Sequence, residues 1–358
     1  MKIQKQRRTA SVLKSTNSFE ILRSLYIAGS KTRTELSKEL HISLPTVLRT
    51  IEPYLNDLIF IYGKNRSKAG RRPERLTFNY FSKKIAGIQV DKSFFTLSVS
   101  ALDRKPIIKE KKVFNCTNPK KLSEAIHDRL LAYSKENFFS PTELEILTIA
   151  VAGTVNEKTG VALDFPLKWE GIFEKNFFEK KFHQDFPNCT VIFENDANAL
   201  AIGELADRGY NKENLVSVYL SNGVGVGIVI NGRLYSGTHG KAGEMGDFLS
   251  IFDEKNDMDF ENFFNKCERQ RKIRILQRLL NNLSLLFDPD EVVLAWNSDK
   301  NKDFEKFQEI PLYEQQNWRI SEHGDFSVVN GALSISAMSF LRKVVYGHVR
   351  ENYIVELV

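Results

Sequence analysis

Three short clusters in the second half of this sequence carry residue types suited to polar ligands. The first, Glu194-Asn195-Asp196-Ala197-Asn198-Ala199-Leu200, sets acidic and amide side chains where a β-rich run gives way to a helical pattern. In an α/β fold a carboxylate at a strand's end can face the crevice where ligands bind, and there it could accept a proton from a sugar hydroxyl. The same residues can equally be a helix cap, with Asn195 or Asp196 bonding first-turn amides, and both readings stand. The second cluster, Gly223-Val224-Gly225-Val226-Gly227, allows close backbone approach to a phosphate, or else is a crowded turn between two strands. The third, Gly240-Lys241-Ala242-Gly243-Glu244-Met245-Gly246-Asp247, surrounds one Glu and one Asp with glycines. That pattern suits hydrogen bonding to a polyol, or is a turn with solvated acids. Cys116, Cys189 and Cys267 lie too far apart for a metal site or a disulfide framework; they read as small core residues, and no metal is expected.

A different chemistry is written at the N-terminus. Residues 1–82 hold 16 Lys+Arg against 6 Asp+Glu, whereas the rest of the 358-residue chain holds 35 against 39. A basic first quarter on a mildly acidic body points to a polyanion-binding module, although a solvated basic face gives the same count. The run from Ser18 reads as a capped helix containing Phe19, Leu22, Leu25 and Tyr26 and ending at Gly29. Thr32 opens a short helix with Leu36 and Leu40, and His41-Ile42-Ser43 reads as a tight turn. Ser43 caps a third helix, with Pro45 tolerated in its first turn. Its apolar stripe is read as Leu44, Val47, Leu48, Ile51 and Leu55, its opposite face as Thr46, Arg49 and Thr50, and Pro53 as its end. Polar side chains at the leading end of such a helix are what the major groove requires, so Ser43, Thr46, Arg49 and Thr50 are candidate DNA contacts. Extended runs at 58–62 and 75–78 flank a basic, glycine-containing segment and make a wing, from which Arg71 and Arg72 can reach phosphates or a narrow minor groove.

The elements behind these residues divide the chain at about residue 82: a winged helix-turn-helix over 1–82 and an α/β body over 83–358. In the body, strands are expected at 85–90, 95–100, 107–114, 146–151, 191–193, 215–220, 226–230 and 292–295. Helices are expected at 122–137, 172–186, 197–207 and 273–287, and Asn231-Gly232 reads as a hairpin turn. The stretch 297–322 is polar and irregular and receives no assignment. No run of the length and apolarity of a membrane helix and no signal-peptide pattern is found, so the expected compartment is the cytoplasm.

Taken in order, these pieces resemble the ROK family (repressors, uncharacterised reading frames and sugar kinases). The resemblance is carried by Gly70-Arg71-Arg72-Pro73, by Val151-Ala152-Gly153-Thr154-Val155 through Gly160, and by Asp164-Phe165-Pro166 with Trp169. The 194–200 run, Gly223 to Gly227, Asn231-Gly232-Arg233-Leu234-Tyr235, Ala242-Gly243-Glu244-Met245-Gly246 and Asp288-Pro289 follow in the family's order. It implies an actin-like, ribonuclease H-like sugar-kinase fold of two lobes around a cleft, behind a winged helix. By this resemblance Asp196 stands where the kinases keep their general base, and Asp164, Asn195 and Glu244 face sugar hydroxyls. Asp247 stands where His is usual, and Glu261 corresponds loosely to a further sugar-binding Glu.

The departures from the family pattern concentrate on the nucleotide side. Gln89, Asp91 and Lys92 stand in place of an acid and the glycines of a phosphate loop, so side chains occupy space that backbone amides would use and Asp91 adds repulsion. Ser221-Asn222-Gly223 falls short of the second loop, Trp296 and Asn297 replace late glycines, and the zinc cysteines are missing after Asp247. The resemblance with these losses implies a DNA-binding transcriptional regulator, a repressor of sugar-metabolism genes. It would be a homodimer or a dimer of dimers on a double-stranded operator, modulated by a sugar or sugar phosphate in a non-catalytic cleft. No cofactor and no enzymatic activity are expected; Asp196 would be vestigial. Two alternatives remain: an active ATP-dependent hexose kinase with a DNA-binding head, and a constitutive DNA-binding dimer without a small-molecule ligand.

Overall fold

The computed structural model describes residues 10–62, 66–67, 70–71, 74–155, 162–163, 175–210, 214–221, 223–238, 240–245, 267–298 and 317–349. The chain begins with α1 (Ala10–Ala28), β1 (Ser30–Thr32), α2 (Arg33–Glu39) and α3 (Leu44–Ile51), followed by β2 (Ile59–Tyr62), β3 (Arg66–Ser67), β4 (Gly70–Arg71) and β5 (Arg75–Phe78). Ser18 does not cap α1. The helix extends back to Ala10, and Ser18 is a buried position inside it. Thr32 and Glu35 form a reciprocal capping box at α2: the Thr32 amide donates to Glu35 Oε2 at 2.6 Å and the Glu35 amide to Thr32 Oγ1 at 3.1 Å. Pro53 ends α3, and residues Glu52–Tyr54 tighten into a single 3₁₀ turn. Strands β1, β5 and β2 pair antiparallel in that order, and β3 pairs with β4 so that Arg66 faces Arg71.

Two five-stranded sheets build the body. The first has the order β12-β9-β6-β7-β8, from β6 (Lys84–Val90), β7 (Phe94–Ala101), β8 (Pro106–Val113), β9 (Leu144–Val151) and β12 (Thr190–Asn195). A short pair, β10 (Thr154–Val155) and β11 (Ala162–Leu163), follows β9. The second sheet has the order β15-β14-β13-β16-β17, from β13 (Leu215–Leu220), β14 (Val224–Ile230), β15 (Arg233–Leu234), β16 (Glu291–Trp296) and β17 (Trp318–Ile320). Both sheets mix parallel and antiparallel pairs. Helices cover both faces of each, which is why β7, β9 and β13 read as continuous apolar runs.

Helices α4 (Pro119–Lys135) and α5 (Lys175–Phe182) close the outer face of the first sheet, with Leu122, Ile126, Phe178 and Phe182 in its core. Helix α7 (Arg269–Phe287) closes the second sheet through Leu276, Leu279, Leu280 and Leu283. Between the sheets lie α6 (Asp196–Asp207) and α8 (Ser327–Tyr346), packed against each other. Their approach is set by Gly331: a Cβ there would lie 1.7 Å from the Ala199 carbonyl oxygen, far inside any tolerable contact. No helix was expected at 327–346. Its small and apolar residues bury it almost all round, so no one-sided stripe marks it. The segment Gly324–Tyr346 also has the length and apolarity of a membrane span, contrary to expectation, but 78% of that window is buried inside the molecule.

The first helix docks on the last. The Phe19 and Tyr346 rings lie 6.2 Å apart, and the buried Arg342 guanidinium sits 4.8 Å over the Phe19 ring. Nearby, Arg104 pairs with Asp207 at 2.9 Å and donates to Ser334 Oγ at 2.8 Å, while the Tyr80 hydroxyl donates to the Tyr26 carbonyl.

Candidate functional site

Strand β12 ends and α6 begins within one residue, and the capping reading of the 194–200 cluster holds at Asn195. Asn195 is the cap. Its Oδ1 accepts from the Asn198 amide at 3.0 Å, and its Nδ2 donates to the Gly153 carbonyl at 3.0 Å, tying the helix start to the loop after β9. Glu194, buried, accepts from the Asn195 amide at 2.8 Å and from Asn198 Nδ2 at 3.0 Å. Asp196 is thereby left as the first residue of the helix, its Oδ1 accepting from the Ala197 amide at 2.8 Å. It is 6% exposed. Burial pushes its carboxyl up to about 8; Glu244 and Asp91 push the same way, against the Ala197 hydrogen bond.

Glu244 arrives from the other lobe. Gly243, at φ +89°, presses against β14 so closely that a Cβ would meet the Val226 carbonyl oxygen at 1.8 Å, and the Val226 amide donates to the Gly243 carbonyl at 3.1 Å. This contact sets Glu244 opposite Gly225, with Thr154 Oγ1 donating to Glu244 Oε1 at 3.5 Å. Asp196 and Glu244, from different lobes, are therefore close enough to feel each other's charge, with Asn195 next to Asp196 in the chain. Asp164 and Asp247 lie outside the described residues. Among the described residues no group of three or more His, Cys, Asp or Glu is placed to hold a metal ion.

The glycine run at 223–227 has a structural use. Gly225 and Gly227 lie within β14, and a Cβ on Gly227 would meet the Ala197 carbonyl oxygen at 2.3 Å. They let α6 sit down on the strand. The residues at the positions where the family resemblance implies a phosphate loop are buried and bonded within the protein. Gln89, on β6, donates through Nε2 to the Tyr219 hydroxyl on β13, joining the two sheets, and accepts from Thr96 Oγ1 at 3.3 Å. Tyr219 is held well above its ordinary pKa by burial and then by Asp196. Asp91 is 5% exposed, its Oδ1 within 3.3 Å of the Ser93 amide. Farther along, Lys111 of β8 pairs with Asp325 at 2.9 Å, and Asp325 also accepts from the Ser298 amide at 2.9 Å and Oγ at 2.8 Å. Burial works to raise the Asp325 carboxyl, but the bonds from Lys111 and Ser298 outweigh it and hold it below the usual range. Tyr219, Lys111 and Asp325 were not singled out from the sequence, and Thr154 was named there only as part of the 151–155 motif. Tyr219 is hidden in an apolar strand run, and the other three sit at elements that meet only in the fold.

At the head, Ser43 Oγ accepts from the Thr46 amide at 3.3 Å and lies 2.8 Å from Thr46 Oγ1. Ser43 and Arg49 are exposed and Thr46 is half-buried. Thr50 is a correction. It is 5% exposed, because Val47, Thr50 and Ile51 share the buried stripe, while Leu44 and Leu48, expected inside, are 43% and 47% exposed. The helix is turned so that residues three and four apart from Val47 face the core. Arg71 lies on β4, described there as backbone, and Arg72 falls outside the described residues.

Two sheets of related order facing one another across paired central helices, with acids at the cleft edge, define a mixed α/β sugar-kinase-like fold. Residues 86–256 match the ROK family model. A crystal structure of a ROK family transcriptional regulator, a homologue of the E. coli MLC protein, superposes over 94% of this chain and all of that one, at a TM-score of 0.66 and 16% identity. A xylose repressor of Bacillus spizizenii is 27% identical over 242 residues, 67% of this chain and 62% of the relative. The match thus spans less than two thirds of that relative's length. A glucokinase of Halalkalibacterium halodurans is 28% identical over 181 residues, covering 48% of this chain and 50% of the kinase.

Proposed function

We propose that this chain is a sequence-specific DNA-binding repressor of sugar-metabolism genes, in which residues 1–82 are a winged helix-turn-helix and residues 83–358 a sugar-responsive, non-catalytic kinase-like domain. The observation that carries the reading is the pairing of a basic head, whose third helix exposes Arg49, with a kinase-like body in which Gln89, Tyr219 and Asp91 are buried and Gln89 is bonded to Tyr219. Similarity to proteins named xylose repressor supports it and makes D-xylose the first effector to try. Ser43, Thr46, Arg49, Arg71 and Arg72 would contact DNA, and Asp164, Asn195, Asp196, Glu244 and Asp247 would contact the sugar. The protein would act in the cytoplasm as a dimer, with sugar binding changing the spacing of two heads. Such a switch needs only different sugar affinities in the two states.

The test is fluorescence anisotropy of the full chain on duplex DNA enriched from a random pool, with and without a panel of pentoses and hexoses. One sugar should shift the operator affinity. Unchanged affinity across the panel removes the effector half of the proposal. The kinase reading has one observation in its favour: Asp196 is buried at a helix start with its carboxyl raised towards neutrality, as a base for a hydroxyl proton should be. ATP turnover above that of Asp196→Asn would establish it. Turnover equal to that of the variant is the expected result.

A further inference from the structure

We infer that the third helix of the head reads thymine methyl groups through Leu44 and Leu48, so that its sequence preference is built on apolar contacts together with Arg49. The inference rests on the DNA-binding reading above and specifies what that surface recognises.

Of the polar residues on α3 that the sequence offered as base readers, the structure removes or reduces most. Thr50 is 5% exposed and belongs to the core stripe. Thr46 is half-buried, its amide bonded to Ser43 Oγ and its hydroxyl 2.8 Å from that same atom, so the two hydroxyls partner each other at the helix start. Arg49 remains exposed on the middle of the helix. To one side of it on the helix are two leucines, Leu44 and Leu48, 43% and 47% exposed, at positions four apart.

Two leucines on the outside of a short helix in a strongly basic module call for an apolar counterpart. Residues 1–82 carry 16 Lys+Arg against 6 Asp+Glu, and that charge selects a polyanion as the occupant of this face. In the major groove each base pair presents hydrogen-bonding groups, and the apolar group displayed there is the C5 methyl of thymine. Residues four apart on a helix share a face and differ in height by about 6 Å. Two base-pair steps rise about 7 Å. Leu44 and Leu48 can therefore meet methyls about two steps apart, with Arg49 on the adjacent side placed to take a guanine edge or a phosphate.

The experiment uses the full chain and a duplex enriched from a random-sequence pool. Each thymine of the enriched site is replaced in turn by deoxyuridine, which deletes the methyl and leaves every hydrogen-bonding group. At one or two thymines per half-site the affinity should fall about fourfold per methyl, the effect of losing one buried methyl group. With Leu48→Ala the same replacement should cost nothing at the thymine that Leu48 covers, although binding elsewhere persists. The exposed position of Leu48 makes this a tolerated change, and the deoxyuridine arm needs no variant at all. Equal affinity for thymine and deoxyuridine at every position of an enriched site, with Arg49→Ala still erasing sequence preference, overturns the inference and leaves DNA binding intact. Failure to bind or enrich any duplex overturns the DNA-binding reading and this inference with it.

Discussion

At the scale of single residues, the Asp196 carboxyl is the most informative group in the cleft. In the unfolded chain it ionises near 4, whereas in the fold burial among Glu244 and Asp91 pushes it up to about 8. Between those values the folded state holds a proton that the unfolded state has released, so stability falls as pH rises through that window, with a slope of up to about 1.4 kcal/mol per pH unit from this group. Asp196→Asn should flatten the decline of the urea midpoint between pH 5 and pH 8 and raise the midpoint at pH 8. An unchanged slope would show that the carboxylate is solvated. At the head, Arg49→Ala should weaken specific binding by about 1–3 kcal/mol, and Arg71→Ala should weaken binding to all sequences and lower the salt slope by about 1. Thr50→Ala should instead cost about 1 kcal/mol of stability and leave sequence preference untouched, since a buried side chain reads no base. Equilibrium unfolding and competition binding on the same three variants separate these roles.

At the scale of elements, the strands of the body were legible because helices on both faces impose unbroken apolar runs, and β6, β7, β9 and β13 fall within a residue or two of their expected places. The helix caps were legible for a similarly local reason: Thr32 and Ser43 bond amides a few residues away. What sequence patterning misjudged was orientation. The Leu44-Val47-Leu48-Ile51 spacing fits a stripe, but the core took Val47, Thr50 and Ile51, a rotation that packing against α1 and α2 decides. Helix α8 escaped altogether. Buried between α6 and the first sheet, it has no solvent face to create a period. Its small residues have a definite purpose, and this gives the element-scale prediction. Gly331→Ala drives a methyl into the Ala199 carbonyl and must separate α6 from α8; it should lower stability by about 3 kcal/mol, at the upper end of ordinary overpacking. Because α6 carries Asp196 at its first position, the same change should disturb the cleft. Loss of stability under 1 kcal/mol would mean that the helices cross less closely than described.

At the scale of the whole molecule, the charge of the sequence changes near residue 82, but the packing does not break there. One apolar cluster runs from Leu22 and Leu25 of α1 through Phe340 and Leu341 of α8 to Leu200 of α6. The Arg342 guanidinium sits over the Phe19 ring, where a charge with little access to water is balanced partly by the ring face, and the Tyr346 ring lies 6.2 Å from that of Phe19. Helix α8 has 20 residues and so spans about 30 Å, from the 3₁₀ turn that holds Asp325, whose charge reaches Tyr219, to the Tyr346 end near Phe19 of the head. A rigid rod between cleft and head is what a ligand-driven change of head position requires, and it has a consequence for folding. Two domains joined by a loose linker would melt separately, whereas a shared core makes them one cooperative unit. Urea unfolding followed by tryptophan fluorescence, which reports the body, should therefore coincide with unfolding followed by far-ultraviolet circular dichroism. Phe19→Ala removes the ring that joins the two parts, with a cost of about 3–5 kcal/mol for a buried phenylalanine, and should let the head unfold ahead of the body, splitting the curves. Separate transitions in the parent chain would show that head and body move independently, and the proposed switch would then have to act otherwise than through α8.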